Sequence, residues 1–364
     1  MRVVRSSMLF PLILTACGVE IIVQQTNPPT PPKVATLEGE ESPSEGGDGT
    51  PTDTLPPDVV DVPPPPSPAT ISQVTATVLP ETSRKALILN AIRAATTSLH
   101  AGLYLLTDTS ITTALTDAYA RGVDVQIVID DSFQTSAQNK KNVTTLTNAG
   151  VPLLKSKAFT FHHAKYMIID GKEATIMTCN FTDSSFSSNR EVVAKVKDKD
   201  AIAALEAIFQ ADMAGAATTV GLDSLLVVSP DNTREKLNGL IGNAADEIFV
   251  AVQAVDDNPF VYMLIGMKMK GVKVRVLIAD PADKKGDAGD AQWLKSKGVE
   301  VRYLPTPYLH EKVILADDKV FVGSVNLTQT SITKNREIGF VGDAAFTATM
   351  KTQLEADWSS AVVF

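Results

Sequence analysis

An internal repeat is the sequence feature that most constrains how this chain folds. A basic residue, a glycine and an apolar run ending at or near an aspartate occur twice, at 121–130 and 270–280. A segment with helical character precedes each run, at 109–120 and 258–269. Strands that alternate with helices indicate α/β layers, so the repeat predicts two similar α/β domains, each a mixed sheet flanked by helices.

The repeat also carries polar residues at matched positions. Each copy contains a histidine, a lysine two residues later, an aspartate five residues after the lysine, a downstream asparagine and a downstream glutamate. These are His163, Lys165, Asp170, Asn180 and Glu191 in copy one, and His310, Lys312, Asp317, Asn326 and Glu337 in copy two. The copies are 147 residues apart at the histidines and 146 apart at the glutamates, so the spacing is almost unchanged.

This doubled H-x-K-x4-D pattern resembles the signature of the phospholipase D superfamily, which includes phospholipases D, cardiolipin synthases and some nucleases. The resemblance extends over about 290 residues, essentially the whole part of the chain that is expected to fold. It implies two phospholipase D-like domains related by a pseudo-twofold axis, with one active site between them. It implies no cofactor.

The residue types suit phosphodiester chemistry, which needs a nucleophile, a proton donor and fixed positive charge around the phosphoryl oxygens. A histidine and a lysine two positions apart on a strand point to the same side. By resemblance one histidine attacks phosphorus, often the first, here His163, and His310 serves as the acid; the residues themselves leave the order open. Glu191 and Glu337 are each expected to orient a histidine. The phosphoryl oxygens are expected to be bound by Lys165, Lys312, Asn180 and Asn326.

The two motif aspartates are expected to have a structural role. A strand of seven residues spans roughly 23 Å, which separates Asp170 and Asp317 from a phosphate held by the histidines. Gly171 directly after Asp170 is typical of a hairpin turn. No metal is implied, because the histidines are not clustered with acids or cysteines at ligand spacing.

Copy one departs from the family pattern just before its asparagine. It has Met177 and Thr178 where copy two has Gly323 and Ser324. Both hydroxyls are expected to bind substrate, and Met177 is expected to reshape the pocket beside His163. Three further residues are expected to be structural, namely His162, His100 and Cys179.

The first 70 residues read as an export signal and a tether. Residues 1–17 combine a positive start with a short apolar stretch that ends at Cys17, which resembles a bacterial lipoprotein signal, so acylation of Cys17 is expected to anchor the protein in the cell envelope. Residues 18–70 hold thirteen of the 21 prolines and predict a disordered acidic linker. Two phospholipase D-like domains are then expected at 71–220 and 221–364.

Charge and site composition leave several functions open. Residues 71–364 hold 30 basic and 33 acidic residues, a net charge of −3, so the strongly basic footprint of a nucleic-acid-binding protein is absent. The favoured hypothesis is a phospholipase D-type hydrolase acting on phospholipid head groups near a membrane. The alternatives are a nuclease of the same superfamily, a phosphatidyl transferase such as a cardiolipin synthase, and an inactive binding module. Two motifs in one chain imply no obligate protein partner.

Overall fold

The computed structural model describes residues 81–132, 136–282 and 288–364, together with the backbone of three strands nearer the N-terminus. It divides into two compact units, Met1–Pro57 and Asp58–Phe364. In the first unit, strand β1 (Leu12–Ala16) pairs antiparallel with β2 (Val19–Val23). Strand β2 lies in the segment predicted to lack regular structure, where the run Val-Glu-Ile-Ile-Val is rich in β-branched residues. Cys17 and most of the predicted linker lie outside the described residues.

The first repeat forms one mixed sheet of seven strands with helices around it. Its elements are β3 (Val74–Thr77), α1 (Glu81–Ala94), β4 (Ser98–Leu103), α2 (Thr109–Ala120), β5 (Asp124–Asp130), α3 (Ala137–Asn148), β6 (Leu153–Ser156), β7 (Tyr166–Ile169), β8 (Glu173–Met177), α4 (Asp183–Ser187), β9 (Asn189–Arg190), β10 (Val193–Val196) and α5 (Lys199–Ala214). The strand order is β3-β10-β8-β7-β4-β5-β6. Strands β4, β5 and β6 are parallel, and the other neighbours are antiparallel.

The second repeat forms an equivalent sheet of eight strands. Its elements are β11 (Leu226–Ser229), α6 (Thr233–Gly242), β12 (Glu247–Val252), α7 (Asn258–Met269), β13 (Lys273–Ala279), α8 (Ala288–Ser296), β14 (Glu300–Leu304), β15 (Tyr308–Leu309), β16 (Lys312–Ala316), β17 (Lys319–Gly323), α9 (Gln329–Thr333), β18 (Glu337–Gly342), α10 (Ala344–Ser360) and β19 (Val362–Val363). The order β11-β18-β17-β16-β12-β13-β14-β19 repeats that of the first sheet and adds β19 at one edge. The predicted fold class, two similar α/β halves, is confirmed.

Local sequence signals explain where the repeated elements begin and end. The helices predicted at 109–120 and 258–269 are α2 and α7, and each is capped by an aspartate that accepts backbone N–H groups, Asp108 in the first case and Asp257 in the second. Gly150 and Gly298 follow α3 and α8 with φ values of 87° and 85°, as the left-handed end of a helix requires. The predicted strands after each H-x-K motif are confirmed as β7 and β16.

The two sheets share a central core. One cluster of buried apolar residues combines both sheets with the closing helices, such as Leu205 of α5 and Leu354 of α10. Two outer clusters lie on the far side of each sheet, one with Leu115 of α2 and the other with Leu264 of α7. Burial on both faces explains why central strands such as β16 are apolar almost throughout. No helix in the described part of the chain has the length and apolarity needed to cross a membrane.

Candidate active site

The two histidine motifs are held in place by backbone pairing between the halves. The His163 N–H donates to the Arg336 carbonyl at 2.9 Å, and the His310 N–H donates to the Arg190 carbonyl at 3.1 Å. Strand β15, just before His310, pairs in parallel with β9. Each H-x-K motif therefore lies against the Asn-Arg-Glu triplet of the other half, and both motifs end at the junction between the halves.

Each histidine is bound by a glutamate from the opposite repeat. His163 Nδ1 lies 2.8 Å from a carboxylate oxygen of Glu337, and His310 Nδ1 lies 2.7 Å from one of Glu191. Both glutamates are fully buried, while the two histidine side chains are 12% and 7% exposed. Because a carboxylate accepts the Nδ1–H, Nε2 is the nitrogen left for chemistry on each ring. The sequence predicted these partnerships but not that they cross between the halves.

Burial decides the protonation state of the histidines. It lowers the pKa of His163 to about 4, although the charge of Glu337 opposes the shift. The pKa of His310 is lowered for the same reason, against the charge of Glu191. Burial therefore favours the uncharged form of both rings, and a neutral imidazole with Nδ1–H has a free electron pair at Nε2.

The partner carboxylates stay ionised despite their burial. Burial raises the pKa of Glu191, but the charge and hydrogen bond of His310, the charge of Lys312 and the Thr178 hydroxyl lower it to about 2. The pKa of Glu337 is likewise lowered by groups that outweigh its burial, above all His163. Each histidine thus faces a fixed negative charge that will stabilise its imidazolium form when a proton arrives.

Further hydrogen bonds fix the orientation of the glutamates. Glu337 accepts from the Ser331 hydroxyl at 2.8 Å and from the Asn335 amide at 3.0 Å. Glu191 accepts from the Thr178 hydroxyl at 2.6 Å and lies 3.4 Å from the Asn189 amide nitrogen. The asparagines of both Asn-Arg-Glu triplets therefore support the glutamate two residues later, a role that the spacing alone did not reveal.

The two lysines lie in the same cluster as the histidines. Each Nζ donates to the backbone carbonyl of the histidine two residues earlier, which holds Lys165 beside His163 and Lys312 beside His310. Burial lowers the pKa of Lys165 to about 7, and the charge of Lys312 acts in the same direction. The charges of Glu337 and Glu191 oppose this shift. Since groups from both motifs influence one another, the halves contribute to a single site.

The predicted phosphoryl-binding asparagines follow the strands beside the motifs. Asn180 lies after β8 and Asn326 after β17, and each has a buried carboxamide oxygen without a hydrogen-bond partner among the described residues. A half-turn of the carboxamide exchanges its oxygen and its NH₂, so each side chain is able to present a donor to an anion. Their role in binding a phosphoryl group stays a prediction.

The hydroxyls of Thr178 and Ser324, which are predicted to bind substrate, have hydrogen-bond partners within the protein. Both residues are fully buried. Thr178 bonds to Glu191 and to the backbone of Val192, and Ser324 bonds to the backbone of Ile338 and contributes to the lowered pKa of Glu337. Both hydroxyls therefore help to satisfy the buried carboxylates beside the histidines, and their contact with substrate stays a prediction.

Met177 is fully buried in the outer core of the first half. Its expected effect on the pocket beside His163 stays a prediction. At the equivalent position in the second half, a Cβ on Gly323 would meet the Gly339 Cα at 2.4 Å. Glycine is therefore required in copy two by a close approach of strands, whereas the first half opposes Met177 with Val193 and has room for a side chain.

The motif aspartates terminate the strands away from the histidines. Asp170 and Asp317 have φ values of 54° and 51°, in the left-handed region that asparagine and aspartate tolerate in turns. Asp170 accepts the backbone N–H groups of 96–98, and Asp317 accepts those of 245–247. Burial raises the pKa of Asp170, but the hydrogen bonds from residues 96–98 together outweigh it and lower the pKa far below its ordinary range. These contacts tie each aspartate to the backbone just before the neighbouring strand, and the structural role of both residues stays a prediction.

Other residues singled out in the sequence have structural contacts. His162 is buried and its Nε2 lies 3.3 Å from Asp212. His100 stacks on Phe209 and its Nδ1 lies 2.7 Å from Glu206. Cys179 is buried, which raises the pKa of its thiol well above the ordinary value. In the described ranges, no group of three or more histidine, cysteine, aspartate or glutamate side chains is arranged to hold a metal ion.

One residue beside the site was missed by sequence reasoning. The Tyr104 ring packs edge-on against His163, with ring centroids 4.4 Å apart, and Lys165 Nζ lies 4.8 Å from its centre. The sequence contained no signal for it, because the position equivalent in the second repeat is Gln253, and a non-repeated residue is invisible to a repeat comparison.

The chain is similar in sequence to several known proteins. A model of the family described as "Cardiolipin synthase, PLD-like domain" matches residues 88–213 and 237–358. The probable cardiolipin synthase YwiE of Bacillus subtilis is 36% identical over 113 residues, which cover 30% of this chain and 22% of the relative. Cardiolipin synthase 2 of Bacillus cereus is 25% identical over 300 residues, 69% of this chain and 58% of the relative. Phospholipase D of Rickettsia conorii is 32% identical over 129 residues, which cover 35% of this chain and 64% of the relative.

Solved structures share the fold at low identity. Phosphatidylserine synthase of Haemophilus influenzae has a TM-score of 0.61 at 11% identity, over 82% of this chain and 88% of that one. Polyphosphate kinase of Porphyromonas gingivalis has a TM-score of 0.61 at 16% identity, over 78% and 46%. The match spans less than two thirds of the length of each curated relative named above. The family match over two equivalent halves, each with its own H-x-K motif, shows that the chain belongs to the phospholipase D superfamily.

Proposed function

We propose that the protein transfers the phosphatidyl group of a glycerophospholipid to an alcohol acceptor, in the manner of a cardiolipin synthase, and hydrolyses the lipid when water takes the acceptor's place. The observation that carries the proposal is the pair of crossed histidine–glutamate contacts. They support one site with two buried imidazoles, one to attack phosphorus and one to exchange a proton with the alcohol. The substrate class is supported by the relatives named cardiolipin synthase. This places transfer ahead of the hydrolysis favoured by the sequence.

In the first step, His163 Nε2 attacks phosphorus and forms a P–N bond as the P–O bond to the leaving alcohol breaks. His310, which takes up a proton from solvent at Nε2 when substrate binds, donates this proton to the leaving oxygen. The anionic phosphodiester and Glu191 raise the proton affinity of His310 once substrate is bound, since nearby negative charge favours the imidazolium. The lysines and asparagines of the two motifs stabilise the charge that develops on the phosphoryl oxygens.

The second step returns the enzyme to its starting state. An acceptor alcohol gives its proton to His310, its oxygen attacks phosphorus, and the P–N bond to His163 breaks. Glu337 keeps the Nδ1–H of His163 in place throughout, so the ring presents Nε2 in both steps. Two molecules of phosphatidylglycerol would in this way give cardiolipin and glycerol.

The test is a product analysis with the full-length protein in mixed micelles containing EDTA. Phosphatidylglycerol, phosphatidylcholine, single-stranded DNA and bis-p-nitrophenyl phosphate are offered to the wild type and to His163→Ala and His310→Ala. We expect cardiolipin from phosphatidylglycerol, with phosphatidic acid as a minor product, and loss of both in the two variants. DNA cleavage without lipid turnover would replace the proposal by a nuclease, and no turnover of any substrate would leave only a binding module.

We propose further that Cys17 is acylated and anchors the protein in the cell envelope. The proposal rests on the positive start, the apolar stretch and the cysteine at its end. Metabolic labelling with an alkyne fatty acid should mark the wild type and not Cys17→Ser. An unlabelled wild type that is still exported would point to an ordinary cleaved signal.

A further inference from the structure

The two sides of the active site differ in chemistry at its edge. Two positions near each histidine correspond between the repeats. One is the residue directly after β4 or β12, and the other lies two places before the histidine. In the first half they are Tyr104 and Phe161, and in the second half they are Gln253 and Tyr308. All four side chains are half-buried, so none of them is sealed in the core.

On the first side the two residues form an aromatic surface. The rings of Tyr104 and Phe161 meet edge-to-face with centroids 5.8 Å apart, and Tyr104 also contacts His163 and Lys165. A surface made of ring faces and edges supplies apolar contact and suits an uncharged, largely apolar part of a substrate.

On the second side the same positions form a polar pair. The Gln253 amide nitrogen donates to the Tyr308 phenol oxygen at 2.9 Å. Tyr308 lies two residues before His310 in extended backbone, so the two side chains project to the same side of the segment. The pair therefore brings an amide oxygen and a phenol oxygen to the side of the site that holds His310.

We infer that Gln253 and Tyr308 form the subsite for the acceptor alcohol and make the enzyme select an acceptor that carries a second hydroxyl group over a simple aliphatic alcohol. The inference rests on the proposed function, in which His310 exchanges a proton with the leaving and the incoming alcohol. An alcohol bound for that exchange must lie on the His310 side, where the polar pair is. A site that hydrogen-bonds a substrate hydroxyl binds an analogue that lacks the hydroxyl less tightly, because that hydrogen bond is lost.

The aromatic side takes the opposite part of the substrate by the same reasoning. The phosphatidyl group that stays on His163 carries two acyl chains, and its apolar glycerol esters are matched by Tyr104 and Phe161. The amino-acid difference between two otherwise equivalent positions thus gives a direction to a pseudo-symmetric site.

The experiment is a competition between glycerol and 1-propanol, which have three carbons each and differ by two hydroxyls. The full-length wild type, Tyr308→Phe and Gln253→Leu receive phosphatidylcholine with both alcohols, and phosphatidylglycerol, phosphatidylpropanol and phosphatidic acid are measured together. We expect the wild type to favour glycerol and each variant to lower the glycerol-to-propanol ratio about tenfold, as loss of one hydrogen bond would. Tyr104→Phe is the matched control, which removes a phenol oxygen from the other side and should change the ratio less than about twofold.

Each outcome decides the matter. A ratio that is unchanged in both variants, or that falls equally in Tyr104→Phe, overturns the inference while propanol and water products show that the variants are folded and active. A wild type without any lipid product overturns the proposed function and the inference with it. If Gln253→Leu yields no product at all, Gln253→Met, which keeps the length of the side chain, replaces it in the same assay.

Discussion

The two halves of the molecule match at the catalytic residues and differ in what surrounds them. Both present a histidine, a lysine and an asparagine, and both lend a glutamate to the other half's histidine. Behind His163 lies a buried ion pair of Arg336 with Asp212, which also contacts His162. Behind His310 lies a related pair, Arg190 with Asp357, but with the additional buried acid Glu311. The catalytic residues must be the same in both halves because they serve one reaction. The buried residues around them differ because each set only has to fit its own half.

The crossed contacts make each half incomplete without the other. The arginine and the glutamate of one Asn-Arg-Glu triplet both bind the opposite half, the arginine through the aspartate of its closing helix and the glutamate through its histidine. A change in one half is therefore expected to act on the chemistry of the other. The following predictions test this reciprocity and its limits.

The largest expected effect separates the roles of the two histidines. His163→Ala and His310→Ala should each lower turnover at least ~10⁴-fold. With bis-p-nitrophenyl phosphate, however, the leaving group needs no proton donor. His310→Ala should therefore release one equivalent of p-nitrophenol in a rapid-quench burst as the phosphohistidine forms, and His163→Ala should release none. A burst in His163→Ala alone would exchange the two roles.

The second prediction concerns the glutamates that cross between the halves. Glu337→Gln and Glu191→Gln should lower kcat by about 10²–10⁴-fold, since an amide no longer holds Nδ1–H against a negative charge. The effect should appear in the opposite half: in ¹⁵N NMR, Glu337→Gln should shift the ring nitrogens of His163 more than those of His310. Glu173→Gln, at an ion pair with Lys195 at the end of β8 away from Thr178, serves as control. Equal shifts on both histidines would contradict the crossed arrangement.

The third prediction compares the two ion pairs that join the halves. Arg336→Met should cost about 3–5 kcal/mol of unfolding free energy, because buried Asp212 loses its arginine and, among the described residues, keeps only the contact with His162. Arg190→Met should cost less, since the Arg190 side chain is 20% exposed and that of Arg336 is 1% exposed. Urea unfolding measures both, with Lys195→Met expected below ~1 kcal/mol. A larger loss of unfolding free energy in Arg190→Met than in Arg336→Met would contradict the prediction, because it would show that partial exposure to water does not stabilise unpaired Asp357.

The smallest effect is a pH dependence found in the second half alone. Burial, with the nearby charge of Asp357, raises the pKa of Glu311 to about 8 against the charge of Arg190, while the first half has Ala164 at the same place. When the pKa of an acid is higher in the folded than in the unfolded state, the acid contributes fully to the unfolding free energy below its unfolded pKa, here near 4.5. That contribution is lost as the pH rises through the folded pKa of about 8.

Glu311→Gln keeps an acceptor for the Gln353 amide and cannot ionise. It should therefore raise unfolding free energy at pH 9 by about 1–3 kcal/mol and change it little at pH 5. Urea midpoints across pH 5–9 measure the difference from wild type. A wild type whose stability does not decline between pH 6 and pH 9 relative to Glu311→Gln would contradict the prediction.

Much of this site was predictable because the relevant signals are local. The pair His163 and Lys165 shares one side of an extended segment, and Asp170 ends the strand that follows, and both follow from the period of a strand. The positions of Thr178 and Met177 were not predictable, because their surroundings come from β10, a strand that lies next to β8 in space but not in sequence. The sequence around a hydroxyl near a motif is the same whether that hydroxyl faces substrate or a buried carboxylate, so the sequence does not distinguish the two roles.

The sequence by itself determined that two similar α/β halves would each present the same small set of catalytic side chains, because strand and helix periods and a repeated spacing are properties of neighbouring residues. Only the tertiary structure decided that each histidine takes its glutamate from the other half and that the aromatic and polar residues lie on opposite sides. Those pairings depend on how two distant surfaces dock, which is governed by burial and hydrogen-bond satisfaction over the whole interface and leaves no periodic trace in the chain.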